Sequence, residues 1–526
     1  MADKLSSARE RVSAALVWLE AHPAWLGALM LLASIRLMAN RAFDRPMWHD
    51  ELFTFYIAQA DSFRKMFLQT QTVDLNPPLY YMAVRFVFHF LQPSNFSVRL
   101  PAAIAFLLTG LFLFVFVGRR LGPIYGASAG LILFGSVYYK FAFEARPYAF
   151  VLCFLALTMV GWQRATDSEQ TRRIGALALV VLGGSGLLLS HVLALVAYCG
   201  FFLAELVRFL IRRKPDWPTW LALTLPLSCV WFFIPLVRNH GTGVFPDKFQ
   251  ASPDRLLFAY NEVWTDLAPL VAIAAIAIVL LGVQRSDSRT ADRKWSSFSI
   301  PEGVLAGYLV LVPVFITLVF MRSHSAYFPR YGAVSIIGMA VLLSWFFAYW
   351  TKMNRLAGLT CFLVFLLGLY SPSVFLRLLS RFTSQPGAAA SYAITGESSF
   401  PLSQVQPELP LVDAGGLTFL EMDHQENDTF VRRLYYLTDT PSAIQYAHAT
   451  IFEGFEELKH QFPIRGNVEP YTQFIQQHRT FLVYGTFDFP EDWLLRKLLA
   501  DGAELKYLGK FNEGYRDEDL YEVTVK

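Results

Sequence analysis

"NPPLYYMAVRFVFHFLQPSNF", residues 76–96, is the stretch whose reading decides the fold. Its apolar run covers only about a dozen residues and is interrupted by Arg85 and His89, whereas a crossing helix needs about 20 predominantly apolar residues. The segment is therefore expected to lie at the membrane surface or to re-enter, not to span. Pro77-Pro78 also excludes a helix at that point. The consequence is global, because a crossing here would invert every later segment. The distribution of basic residues tests it. With a cytoplasmic N-terminus and no crossing at 79–91, the clusters Arg119/Arg120, Arg172/Arg173, Arg212/Arg213/Lys214, Arg285 to Lys294 and Lys352/Arg355 all fall on the cytoplasmic side. With a crossing, nearly every one would fall outside.

The surrounding composition agrees with a membrane protein. Of 526 residues, 54% are hydrophobic and only 17% are charged, with 47 Phe; soluble domains are about 25% charged. The net charge of +3 gives no reason to expect a nucleic-acid partner. The four cysteines, Cys153, Cys199, Cys229 and Cys361, all lie in apolar runs and read as packing residues, not as disulfides or metal ligands. The N-terminus has no short apolar core followed by a small-residue cleavage site, and reads as a cytoplasmic start before a retained first span. Segments of suitable length fall at 22–41, 98–117, 123–142, 147–163, 174–190, 192–210, 218–237, 267–284, 302–321, 331–350 and 356–374, or about eleven in all. Beyond about residue 376 the chain becomes Ser/Pro/Gly-rich ("RFTSQPGAAASYAITGESSFPLSQVQPELP"). It then alternates short apolar runs with amphipathic patterns, the signature of a small α/β domain. "DAGG" is not a dinucleotide fingerprint, and no internal repeat stands out.

This topology brings a set of charged residues to the exoplasmic membrane face. The carboxylates are Asp50, Glu51, Asp74 and Glu144; the cations are Arg146, Arg322 and Arg330, with His49, His191 and His324 nearby. Each has a bland reading. Asp50 and Glu51 suit a helix N-terminus. Arg146 and Arg330 suit interface anchors, His191 suits a satisfied interfacial histidine, and NPPLYY suits a rigid turn. Their recurrence on one face points instead to a polar cavity, since such groups are costly at a bilayer boundary unless paired or hydrated.

The motifs "HDE" after the first span, "DLNPPLYY", "VRLPAAIAFL", "EARPYAF" and "AYFPRYGAV", in this order, resemble the GT-C glycosyltransferases. These polyprenyl-phosphate-sugar-dependent membrane enzymes include protein O-mannosyltransferases, lipid A aminoarabinose transferases and bacterial lipopolysaccharide sugar transferases. The resemblance covers about residues 20–350. It implies that Asp50-Glu51 is the acidic pair of the first exoplasmic loop. Asn76 stands where the family more often has His, so no base or metal-ligand role is expected there.

The chemistry fits the residues. Transfer from a lipid-phosphate sugar needs a base for the acceptor proton, which a partly buried carboxylate can supply. It also needs cations on the phosphate, for which arginine's planar fork is suited. Asp50 is the expected base, with Glu51 supporting it or orienting the acceptor and Asp74 second in line. Arg146 and Arg330 are expected to bind donor phosphate, with Glu144 able to orient Arg146. His49, Asn76, Tyr80, Tyr81, Glu144 and His191 are expected to line the cavity. No pyrophosphate is cleaved and no His/Cys ligand spacing is present, so no cofactor or divalent metal is obligatory. The expected architecture is an all-α polytopic membrane domain of GT-C fold over residues 1–376, with interfacial helices in a first exoplasmic loop at 43–97. A small soluble α/β domain is expected over residues 377–526. The expected activity is inverting transfer from a polyprenyl-phosphate sugar donor to a glycan, lipid or protein acceptor, in the bacterial inner membrane. The site and C-terminal domain would then be exoplasmic. A non-catalytic lipid-linked-sugar transporter is the farther alternative; sparse mid-span charges speak against it.

Overall fold

A computed structural model describes residues 14–39, 45–167, 173–239, 249–282, 298–323, 325–370, 405–448, 455–487, 492–512 and 517–525. The expected domain boundary at 376/377, most of the linker-like stretch, and His324 lie outside these residues.

The first apolar helix, α1 (Pro23–Ala39), follows a short helix over Ala14–Ala21 that is bent 86° from it. Three short helices come next: α2 (His49–Ala58), α3 (Phe63–Thr72) and α4 (Leu79–Phe90). The last is the core of the opening stretch. Its 12 residues reach about 18 Å, well short of a hydrocarbon core of about 30 Å. It starts at Leu79, directly after Pro77-Pro78, and buries Tyr80, Tyr81 and Val84. Phe86 and Phe90, on the other face, are 67% and 68% exposed. A short helix with one face in the protein and bare phenylalanines on the other fits a membrane interface.

The bundle follows, with α5 (Asn95–Leu121), α6 (Pro123–Phe134), α7 (Tyr148–Thr166), α8 (Arg173–Leu188), α9 (Ala194–Arg212), α10 (Trp217–Thr224), α11 (Phe233–Asn239), α12 (Pro253–Leu280), α13 (Ile300–Ser323), α14 (Ser335–Trp350) and α15 (Arg355–Tyr370). Among the described residues six helical segments are long and apolar enough to cross a membrane, or seven if the bent first pair is one span. Four further apolar helices, α6, α8, α14 and α15, are shorter. Each of the eleven expected segments overlaps one of these over its described residues. Helices α6 and α14 fall below full length because 3-10 turns, Val137–Ala142 and Pro329–Gly332, take up part of the apolar run. Close packing in the bundle rests on small residues: a Cβ on Gly126 of α6 would sit 2.5 Å from the Phe114 carbonyl oxygen of α5.

The C-terminal part is the expected α/β domain. Its six strands are β1 (Leu411–Asp413), β2 (Leu434–Thr438), β3 (Asn467–Pro470), β4 (Thr480–Gly485), β5 (Glu504–Asn512) and β6 (Asp517–Thr524), in the order β3-β2-β1-β4-β6-β5. The first four are parallel, and β6 and β5 complete the sheet antiparallel. Alternation along β4 sends Phe481 and Val483 into a core on one face and Leu482 and Tyr484 into another. That second core is continuous with the core of the membrane domain. Helix α16 (Gly416–Gln425) makes the junction by packing on α2. Phe462 joins it there against Phe53 and Tyr56.

Candidate active site

Met47, Trp48 and His49 lead into α2, and Asp50 and Glu51 occupy its first turn. The helix-terminus reading is thus correct as far as it goes, since the Glu51 carboxylate accepts the Trp48 backbone N–H at 3.4 Å. Consecutive helical residues diverge by about 100°, and the two acids part company accordingly. Glu51 points into the protein, fully buried. It accepts from Arg99 Nε at 2.8 Å and Nη2 at 2.7 Å, from Arg45 at 2.9 Å, and from the Ala145 N–H at 2.7 Å. Burial would raise its pKa, but Arg99 above all, then Arg45 and the Ala145 amide, hold it below the ordinary carboxylate value. The role expected of Glu51, supporting the base or orienting an acceptor, does not match this geometry: its bonds pin the loop to α5 and to the turn before α7.

Asp50 points the other way. Its Oδ2 lies 3.3 Å from Arg330 Nη1 and 3.6 Å from Arg146 Nε. Arg146 Nη1 also donates to Asp74 at 2.8 and 3.0 Å and to the Asp50 carbonyl at 3.2 Å. Tyr81 donates its hydroxyl hydrogen to Asp74, and the Asn76 amide bonds the Asp74 carbonyl at 2.9 Å. Two acids and two arginines from four separate chain segments thus meet in one cluster. Burial pushes against the charge on Asp50, but Arg146, Arg330 and His49 together hold its pKa at about 2. Asp74 is instead raised, by burial and by the neighbouring Asp50 charge, against the pull of Arg146 and Tyr81.

The arginines are held from behind. Arg146 belongs to the turn before Pro147. Arg330 belongs to the 3-10 turn Pro329–Gly332, where its guanidinium lies 4.7 Å from the Phe328 ring centre and 6.0 Å from that of Trp48. Several polar atoms in the cluster are buried with no hydrogen-bond partner: Arg146 Nε, Arg330 Nε, Trp48 Nε1 and Asp50 Oδ2. N–H donors without a hydrogen-bond partner on both arginines and on Trp48 suit an anionic ligand. Beside Arg330 opens a small cleft lined by Tyr148, His191 and Tyr331 together with Val151, Leu193 and Val312. His191 stands between the rings of Tyr148 and Tyr331, at 5.5 and 6.0 Å, and its Nδ1 accepts the Leu193 N–H. Burial, then Arg146 and Arg330, lower its pKa to about 3, so the ring is neutral.

The remaining expected residues are distributed unevenly. Tyr80 is fully buried, bonded to the Val98 carbonyl and packed on Phe150, so it supports the wall and does not line the cavity. Glu144 is half-buried near the cluster, but its carboxylate is not among the partners of Arg146. Burial raises its pKa. Arg322 is exposed at the end of α13. His49 faces Asp50 at 3.7 Å and Glu421 at 2.9 Å. Sequence reasoning did not single out Arg45, Arg99, Trp48, Tyr148, Tyr331 or Glu421. Arg99 carried a signal, a lone cation at the head of a long apolar run. Among the described residues no group of three or more His, Cys, Asp or Glu is arranged to hold a metal ion.

Residues 75–237, which contain Asn76, Arg146 and His191, match the family model described as dolichyl-phosphate-mannose-protein mannosyltransferase. The whole fold resembles that of ArnT from Cupriavidus metallidurans bound to undecaprenyl phosphate, with 14% identity, 95% of this chain and 97% of that chain covered, and a TM-score of 0.50. The chain therefore has the GT-C fold of the multi-pass membrane glycosyltransferases. The apo structure of the same ArnT gives 15% identity, 97% and 98% coverage and a TM-score of 0.49. An Archaeoglobus fulgidus oligosaccharyltransferase gives 9%, 87% and 67%, and 0.40. No curated protein sequence matches the chain.

Proposed function

We propose that this protein transfers a sugar, with inversion, from a polyprenyl-phosphate donor to an acceptor at the exoplasmic membrane surface. The observation that carries the reading is the Asp50–Arg146–Arg330 cluster with its unused arginine N–H donors. The donor phosphate would seat between the two guanidinium groups. Asp50 then takes the proton of the acceptor hydroxyl or amine. The acceptor atom attacks the anomeric carbon from the face opposite the phosphate. The carbon–oxygen bond to the phosphate breaks, and its electron pair leaves with the polyprenyl phosphate, whose charge the arginines stabilise.

The low pKa of Asp50 belongs to this scheme. Held at about 2 by the arginines, Asp50 is ionised and ready but weakly basic. A phosphate that shares those arginines relaxes their hold and raises its basicity. The base is thus strengthened when the donor is in place. The ArnT structure bound to undecaprenyl phosphate supports a lipid-phosphate ligand for this fold. We favour a cell-envelope glycan or lipid as acceptor; the family match over residues 75–237 favours a protein hydroxyl as the second reading. Arg119/Arg120 and Arg212 lie in the last turns of α5 and α9 and Lys352/Arg355 at the turn between α14 and α15, all at helix ends away from the cluster, which supports a cytoplasmic N-terminus and an exoplasmic site in a bacterial inner membrane. The deciding test is a transfer assay in reconstituted membranes with a synthetic polyprenyl-phosphate sugar. Product with inverted anomeric configuration is expected, inhibited by the free polyprenyl monophosphate. Absence of polyprenyl monophosphate binding would sink the reading.

A further inference from the structure

The C-terminal domain reaches into the site through one residue. Glu421, on α16 and buried, accepts two bonds from His49: the backbone N–H at 2.8 Å and ring Nδ1 at 2.9 Å. A carboxylate is an acceptor only, so Nδ1 carries the hydrogen and the tautomer is fixed. Nε2 is thereby turned to the opposite side, where it lies 3.7 Å from Asp50 Oδ1. Oδ1 is the carboxylate oxygen not facing the arginines, whose contacts are with Oδ2. The result is a chain of Glu421, His49 and Asp50, running from the soluble domain to the base. The same junction is reinforced by Tyr56 bonded to His424 and by Gln425 bonded to the Met47 carbonyl.

We propose that Glu421 is a positioning residue supplied by the C-terminal domain, and that through His49 it provides the outlet for the proton Asp50 collects. This rests on reading Asp50 as the base. After transfer, Asp50 carries the acceptor's proton on a carboxyl group that its arginines favour as carboxylate. The proton passes from Oδ1 to the Nε2 lone pair, through one bridging water or a small side-chain rotation. Asp50 returns to carboxylate and His49 becomes an imidazolium between two carboxylates, which then releases the proton to solvent through its partly exposed ring. The charged groups facing His49 are Asp50 on its own helix and Glu421 from α16. Behind Asp50 stand Arg146 and Arg330. Behind Glu421 the α16 groups are Asp423 and His424, with Arg465 bonded to Asp423.

The test uses the full chain in lipid nanodiscs with a synthetic polyprenyl-phosphate sugar. Glu421→Gln keeps an acceptor for both His49 bonds but removes the charge. It should leave polyprenyl monophosphate binding unchanged and lower kcat by about tenfold. It should also move the acid limb of the kcat–pH profile to lower pH, because the imidazolium is harder to form without Glu421's charge. Glu421→Asp should return that limb toward its wild-type position. If Glu421→Gln does not fold, His49→Gln serves: it keeps the backbone bond to Glu421 and should abolish the same limb. An unmoved limb in Glu421→Gln, or its persistence in His49→Gln, overturns the proposal. Failure of the base assignment is separable. An active Asp50→Asn would remove the base, whereas an inactive Asp50→Asn beside a wild-type profile in Glu421→Gln removes only the outlet.

Discussion

Asp50 and Glu51 are neighbours in sequence with opposite partners, and their amide variants should fail in different ways. Asp50→Asn should fold and bind polyprenyl monophosphate, but lose turnover by about two to four orders of magnitude; near-normal turnover would pass the base role to Asp74. Glu51→Gln should instead weaken the fold. Arg99, at 1% exposure, would lose a carboxylate that engages both Nε and Nη2. Breaking a buried pair costs about 3–5 kcal/mol, readable as a lower melting temperature in detergent. Its pH dependence has a definite sign. Because the folded pKa of Glu51 is depressed, its contribution is complete above the unfolded value and lost as pH falls through the folded one. Glu51→Gln should therefore flatten the acid side of the stability profile, and an unchanged acid side would refute the pinning role. For the arginines, Arg330→Lys should weaken polyprenyl monophosphate binding by about 1.5–3 kcal/mol, roughly ten- to a hundredfold, since an ammonium lacks the planar fork. Unchanged affinity would reduce Arg330 to an interface anchor. The sequence revealed which residue types gather at this face, but not the rotation that separates Asp50 from Glu51. Nor could it bring Arg330 to Asp50, because that contact is made by tertiary packing alone.

Helix α4 is the element on which the topology turns. If it lies in the interface, a spin label on Phe86→Cys, with Cys199 removed, should report a shallow depth near the lipid head groups. A mid-bilayer depth would restore α4 as a span and invert everything after it. The contact between α5 and α6 offers a second check. Gly126→Leu places side-chain atoms where the Phe114 carbonyl already stands, and overpacking of this kind costs about 1–3 kcal/mol; an undiminished melting temperature would argue against the close approach. Such elements were legible to different degrees. Pro77-Pro78 and the short apolar run announced α4 because both act locally. The α/β character of the C-terminal part was legible from alternation, as at Phe481-Leu482-Val483-Tyr484. The strand order was not, because β1 pairs with β2 and β4 through contacts far apart in sequence. Helix lengths such as that of α6 were misjudged because apolar character runs on through residues that turn into 3-10 geometry.

For the whole molecule, the sidedness read from basic residues predicts which surfaces a membrane-impermeant thiol reagent reaches in intact cells. Leu499→Cys, on an exposed site of the C-terminal domain, should be labelled from outside. Lys214→Cys, at the exposed end beyond α9, should be labelled only after permeabilisation. The reverse pattern would invert the protein. The junction between α16 and α2 has a further consequence, in the order of biosynthesis. Glu421 emerges 372 residues after His49. At about 5–20 residues per second, that is roughly 20–70 s of translation. Throughout that interval the acidic loop is already at the membrane while its closing partner is still unmade. On the proposed role of Glu421, a chain that stops early should insert its helices but lack the contact that closes the site over His49.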